Sequence, residues 1–356
     1  MNGAKFVWAA AAIIALAAEG TSATLTRFAG GGARTSGPAA DCRLADPFAA
    51  QFDARGNAYI CEMTNNRVLK VDAGGRLTLF AGTGETGSGG DGGPAAKAQF
   101  DGLHNLAVDQ DGDVYLADTW NSKIRRIDAR TGIVSTFAGI GKHGFSGDGG
   151  LAAQAEFSGI YSIAFDVRHE NLYLADLENR RVRVIDLKSK TVRTFAGNGF
   201  KGVPADGSDA ASAPLLDPRA VAVAGSGDVY ILERSGHALR VVGVNGKIRT
   251  VVGTGRPGPW TPAENPRAAT LRGPKHLCVD RDDNVLIADS DNCVIRKFLP
   301  RENRLILVAG TGKQGLGAAG GDPLKTALNH PHGVSVDGQG RIYISDSYNG
   351  RVLRLE

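Results

Sequence analysis

The sequence predicts an all-β fold: a six-bladed β-propeller of four-stranded antiparallel blades, closed by the N-terminal strand in the last blade. Three observations carry that expectation. The first is a signature, Phe28-Ala29-Gly30, that returns as Phe80-Ala81-Gly82, Phe137-Ala138-Gly139, Phe195-Ala196-Gly197, Val251-Val252-Gly253 and Val308-Ala309-Gly310. Its period of roughly 57 residues marks a repeat architecture. The second is that each interval holds four short apolar or alternating segments set apart by Gly, Asp and Asn turns, which is an antiparallel meander. The third is phase. The chain opens on an orphan fourth strand, Leu25-Thr26-Arg27-Phe28, and stops at a third strand, Arg351-Val352-Leu353-Arg354-Leu355, so its two ends complete one sheet and remove an edge that invites aggregation.

Within one repeat the elements run as follows. His104 to Val108 is apolar without polar alternation, as an inner strand buried on both faces requires. Asp109 to Asp113 is a turn, Val114 to Ala117 the second strand, and Asp118 to Ser122 a polar turn. Lys123 to Ile127 alternates, Ala129 to Gly132 turns again, and Val134 to Phe137 is the fourth strand, ending in the signature. A Gly-rich connection, Thr83 to Gly102, leads from one repeat into the next, and its Gly90-Asp91-Gly92-Gly93 is echoed at Gly147-Asp148-Gly149-Gly150. Such a unit cannot bury both faces alone, so neighbouring units stack radially.

Composition narrows the function. Forty-nine glycines and 6% aromatics fit many turns and strands filled by Val, Ile, Leu and Ala. Lys plus Arg, 41, barely exceeds Asp plus Glu, 37, and the basic residues form no tract, so nucleic acid is not expected as a partner. Residues 1–23 read as a signal peptide: Lys5, an apolar run from Phe6 to Ala18, and small residues at Thr21 and Ala23. The run is short for a membrane span, so a secreted or periplasmic protein with no span after cleavage is expected, folded as a single domain over 24–356 and monomeric. Export would allow Cys42, Cys61, Cys278 and Cys293 up to two disulfides in three possible connectivities, although Cys61 and Cys278 read equally well as packing residues inside strands.

Chemistry is expected where the inner strands begin. Twenty-two residues beyond the signature glycines lie His104, Tyr161, Arg219, Lys275 and His332, with Phe48 as the equivalent in the first blade. These side chains should ring the mouth of the central channel. Two imidazoles, a phenol, a guanidinium and an ammonium without a carboxylate suit an anion; a wet channel merely plugged by these groups is the bland alternative. His104 and His332 also raise the question of a shared divalent metal, zinc or calcium.

A second register is wholly acidic: Glu62, Asp118, Asp176, Glu233, Asp289 and Asp346 close the second strands. A calcium ring is conceivable there, but carboxylates capping their own turns, with Asn65, Asn121, Asn179, Asn292 and Asn349 beside them, are the expected role. Asp109, Asp111 and Asp113, like Asp280, Asp282 and Asp283, lack the closing acid of a calcium loop and read as hairpin turns. His276 and His330 are placed to support the mouth, while Trp120, Trp260 and Tyr348 fall on the mouth face, where aromatics grip partners. Pro257 to Pro262 around Trp260 reads as a break in the repeat and a candidate functional insertion.

Asp113 to Asp128, Asn171 to Asp186 and Arg341 to Leu353 resemble the NHL repeat. That resemblance covers nearly all of the expected mature chain and implies the propeller fold, with functions ranging from protein-binding and RNA-binding platforms through receptor sensor domains to enzymes such as the peptidylglycine amidating lyases. The lyase likeness implies zinc-binding histidines at the strand-start register. His104 and His332 match it, but Arg219 holds the fourth-blade position. Of that family's two arginines, the fourth-blade one falls on Arg234 and the first-blade one on Met63; Leu177 and Glu178 stand where its third-blade tyrosine would be.

Two functions therefore stand. One is a secreted binding module taking a protein, a glycan or a small anionic ligand at the channel mouth. The other is a lyase or hydrolase at the same place, with or without a metal, using His104 and His332 assisted by Tyr161, Arg219, Lys275 and Arg234. No nucleophile elbow, phosphate loop or dinucleotide fingerprint is present.

Overall fold

Four strands per repeat pair in sequence order, as the second blade shows: Leu103–Val108, Val114–Asp118, Lys123–Ile127 and Val134–Ala138. The structure, a computed structural model, describes residues 23–356 and contains six such antiparallel sheets. Their inner strands, Pro47–Phe52, Leu103–Val108, Ile160–Phe165, Pro218–Val223, His276–Val279 and Gly333–Val336, each pack against the next, and the last packs against the first. That closes a six-bladed propeller. The sealing strand Leu25–Gly30 runs antiparallel to Arg351–Leu355, with Leu25 opposite Leu355 and Gly30 opposite Arg351.

Apolar contact lies between blades, because each sheet has two faces and only a neighbour can cover them. Phe48, Tyr59 and Val68 of the first blade bury against Leu103, Leu106 and Leu116 of the second. Leu25 is wholly buried in the cluster that joins Ile295 to Leu353, so the sealing strand contributes core as well as hydrogen bonds. Burial of one such side chain stabilises by about 1.5–3 kcal/mol.

The repeated sequence features have local causes. Gly139 has φ +89°, and a Cβ there would run into the carbonyl oxygen of Ser122 and the ring of Phe157. The other five signature glycines are also left-handed and meet the equivalent carbonyl of their own blade. The Gly-Asp-Gly-Gly echo covers an edge: Gly92 N donates to Val134 O at 2.8 Å, and Gly93 O accepts from Val134 N at 3.0 Å. Gly149, Gly150 and Val192 repeat this in the third blade, and Gly207 donates likewise to Ile248 O in the fourth. In the first and fourth blades the same connection forms two-residue edge strands, Gly37–Pro38 and Ser208–Asp209, making those sheets five-stranded.

One expectation is corrected and one open alternative is decided. Pro257 to Pro262 does not interrupt the repeat: Pro257 bridges Leu271 just as Thr86 bridges Phe100 and His143 bridges Phe157, over the same loop length. The departure is the first connection, where Arg34 bridges Cys42 across a shorter span. All four cysteines are free thiols; Cys61 lies in the first blade's second strand, and Cys278 and Cys293 belong to the fifth blade, so each fills local space. The leader expected over 1–23 lies, but for its last residue, outside the described residues.

Candidate functional site at the channel mouth

The fold brings the six strand-start side chains together. Phe48 stacks on His332, centroids 4.0 Å apart and 9° between planes, and meets His104 edge-on at 5.3 Å. His104 contacts Tyr161 at 4.5 Å, and the guanidinium of Arg219 lies over the Tyr161 ring at 4.4 Å. The exposed rings of Trp120 and Tyr348 flank the two histidines, at 5.7 Å from His104 and 5.6 Å from His332. Trp120 can lie so close because Gly102 beneath it, with φ +65°, has no side chain. Trp260, by contrast, is half-buried with its indole against Gly312, away from this cluster of rings.

Both histidines have a fixed tautomer. His104 Nδ1 lies 2.7 Å from Gly102 O, and His332 Nδ1 lies 2.9 Å from His330 O. A carbonyl only accepts, so the proton sits on Nδ1 and Nε2 carries a lone pair. Neither Nε2 has a hydrogen-bond partner among the described residues. Burial, then the neighbouring Arg219 charge, pushes His332 down to about 3, with Lys275 adding to the effect. The same two leading causes hold His104 well below the usual histidine range. Both rings are neutral at pH 7.

Arg219 is the anomaly of the site. Arg67, Arg125, Arg183, Arg240, Arg296 and Arg351 on the third strands each have a carboxylate of their own, Glu62, Asp118, Asp176, Glu233, Asp289 and Asp346. Arg219 is only 5% exposed and forms no salt bridge among the described residues. One Nη donates to Tyr161 O at 3.4 Å, while Nε is buried without a partner. Desolvation drives this guanidinium down to about 10. Lys275 stands near it, its ammonium also destabilised by burial.

Directly beneath the mouth the channel is shut. Asn105 of the second blade donates through Nδ2 to His276 Nε2 of the fifth, its opposite in the ring, at 2.9 Å. His276 Nδ1 lies 3.1 Å from Val334 O, and Asn105 Oδ1 accepts from Ile163 N at 3.0 Å. His276, expected to support the mouth, is thus half of a septum. Below it a cavity of about 270 Å³ opens on the far face, lined by Ala107, Ile163, Phe165 and Val221. Nothing in local sequence signals that bond, since it joins residues 171 positions apart.

The ring of six acids is structural. Each is completely buried and accepts a backbone N–H from the segment entering the inner strand, as Asp118 does from Asp101 N at 2.8 Å and Asp176 from Ser158 N at 2.7 Å. The expectation that each caps its own turn is therefore incomplete. Asn121, Asn179, Asn292 and Asn349 bind both the acid and a carbonyl of the preceding connection, tying the turn to the mouth loops. Burial pushes Asp118, Asp176 and Asp289 up to about 6. With every carboxylate so engaged, no calcium ring forms.

Zinc fits no better. His104 and His332 have Phe48 against both rings, and the third position is a cation; a catalytic zinc needs three protein ligands. Among the described residues no three His, Cys, Asp or Glu side chains converge on a metal position. Arg234, the candidate carried by the lyase likeness, pairs with Asp217 at 2.9 Å, which also accepts from Ser235 Oγ at 2.6 Å. Residues that sequence reading missed are Thr119, Ser290 and Ser347. Each follows the buried acid and donates its hydroxyl to the next blade, to Ile160 O, Pro331 O and Pro47 O at 2.7, 2.5 and 2.7 Å.

Comparison with known proteins agrees with this architecture. The teneurin NHL domain model matches residues 161–314 and the NHL repeat model residues 328–355. NHL repeat-containing protein 2 of Bos taurus is 24% identical over 327 residues, covering 83% of this chain but 44% of that protein, so the chain spans less than half of that relative's length. An auxiliary nutrient binding protein of Bacteroides ovatus superposes with a TM-score of 0.68 at 17% identity, covering 94% of this chain and 76% of the other. A streptogramin B lyase gives 0.56 at 13% identity, covering 94% and 98%. These likenesses show the fold. No helix among the described residues is long and apolar enough to cross a membrane.

Proposed function

Since this chain is an NHL-repeat six-bladed β-propeller, we propose that it is a binding module whose ligand seats at the channel mouth and is anionic. The observation that carries the reading is Arg219, a buried cation with an unpartnered Nε in a protein that gives each of its six recurrent third-strand arginines an acid. A buried charge without a counter-ion is destabilising unless something pairs with it. A ligand carboxylate or phosphate would do so, and Lys275 would add a second charge. Likeness in fold to an auxiliary nutrient binding protein supports the same class of function.

The test is thermal. Acetate, citrate and inorganic phosphate at millimolar concentration should raise the melting temperature above that in chloride of equal ionic strength, and Arg219→Gln should remove the difference. Equal responses of the two proteins would overturn the reading. A second reading, a lyase with its site at the same mouth, rests on the two imidazoles whose Nε2 atoms meet no protein donor among the described residues; their lowered basicity makes it the weaker of the two. It predicts a chemically altered ligand after incubation, whereas the binding module returns it unchanged. Export, expected from residues 1–23, puts the module in the secreted or periplasmic space; N-terminal sequencing of the mature protein checks that placement.

A further inference from the structure

Three features of the mouth together specify more than negative charge. Arg219 engages one Nη with the Tyr161 carbonyl and buries Nε without a partner, so the other Nη, which has no partner among the described residues, is the group left for a ligand. Its N–H groups bond one oxygen of a carboxylate, and Lys275 nearby supplies a donor to the second. The lone pairs on Nε2 of His104 and His332 require donors from the ligand, because Nδ1 holds the proton in each. An ammonium is the wrong donor beside Arg219 and Lys275, which repel a cation. Neutral donors remain, hydroxyl or amide N–H, and a ring carrying several hydroxyls offers two of them beside one carboxylate. Finally, each histidine is flanked by an exposed aromatic ring, Trp120 on one side and Tyr348 on the other, and such rings offer apolar faces with polar rims to a ligand that is itself both.

We infer that the mouth recognises an acidic sugar, a ring bearing one carboxylate and several hydroxyls of the uronic acid kind, with the carboxylate on Arg219, hydroxyls donating to His104 and His332, and the sugar face against Trp120 or Tyr348. The inference rests on the anion-binding reading above and goes further by demanding hydroxyl donors.

Titration calorimetry on the full chain at pH 7.5 tests it with three probes: D-glucuronate, cyclohexanecarboxylate, which keeps the ring and acid but lacks hydroxyls, and D-glucose, which lacks the acid. Glucuronate should bind at least tenfold more tightly than either of the others. Arg219→Gln should abolish that binding, and Trp120→Ala should weaken it severalfold. His104→Phe and His332→Phe keep a ring beside Phe48 and carry no acceptor, so the tenfold preference for glucuronate over cyclohexanecarboxylate should be lost. If cyclohexanecarboxylate binds the parent as tightly as glucuronate, the sugar inference falls and the anion reading stands. If glucose matches glucuronate, or no carboxylate binds, both fall.

Discussion

Removing the charge of Arg219 reaches beyond Arg219 itself. After burial, its guanidinium is the strongest influence depressing both His104 and His332, so Arg219→Gln should move both imidazoles back toward the ordinary histidine range. Following their ring signals by NMR as pH falls should show the parent's His332 neutral past pH 4, and protonation at higher pH in the variant; unchanged titration would mean the charge does not reach the rings. A different residue-scale experiment concerns the acids. Asp176 is fully buried, receives Ser158 N and Asn179, and faces the buried Arg183 at 3.5 Å. Asp176→Ala leaves that arginine only the half-exposed Asp148 and should destabilise by about 3–5 kcal/mol in urea unfolding. A loss below 1 kcal/mol would mark the pair as energetically idle.

Blade geometry sets its own demand at the ends of strands. Gly139 is left-handed and wedged against Ser122 O and Phe157, whereas Gly149 has nearly the same φ, +83°, with open space where a Cβ would go. Gly139→Ala should therefore destabilise by more than 2 kcal/mol and Gly149→Ala by only about 1 kcal/mol, the conformational term alone; equal effects in chemical denaturation would refute the role given to the carbonyl contact. This contrast also shows what a reader of the sequence could and could not obtain. Signature glycines, strand bounds within a residue or so, and the strand-start ring were legible because each recurs at fixed spacing in every repeat. The arginines Arg67, Arg125, Arg183, Arg240, Arg296 and Arg351 recur just as regularly on the third strands, and that spacing was a usable signal for the partners of the acid ring. Asn105 and His276 were not legible, since their bond depends on which blades face each other across the ring and on no local pattern. Nor was the tautomer of His104, which follows from how closely Gly102 O approaches it.

At the scale of the ring, the first strand holds the whole together. Leu25 is completely buried and bonded at its backbone to Gly321 O at 2.9 Å, so Leu25→Ala should remove about 2–5 kcal/mol. Deleting residues 24–30 should do worse, leaving the edge of Arg351–Leu355 bare; loss of a single cooperative transition together with self-association in sedimentation is the expected result, and a monomer of parental stability would contradict closure. The bond between Asn105 and His276 has a consequence for traffic through this ring. It turns the mouth into a blind well, with one way in and the same way out. A long polymer cannot be threaded through such a cul-de-sac, so a ligand of the kind proposed would enter and leave by the same face.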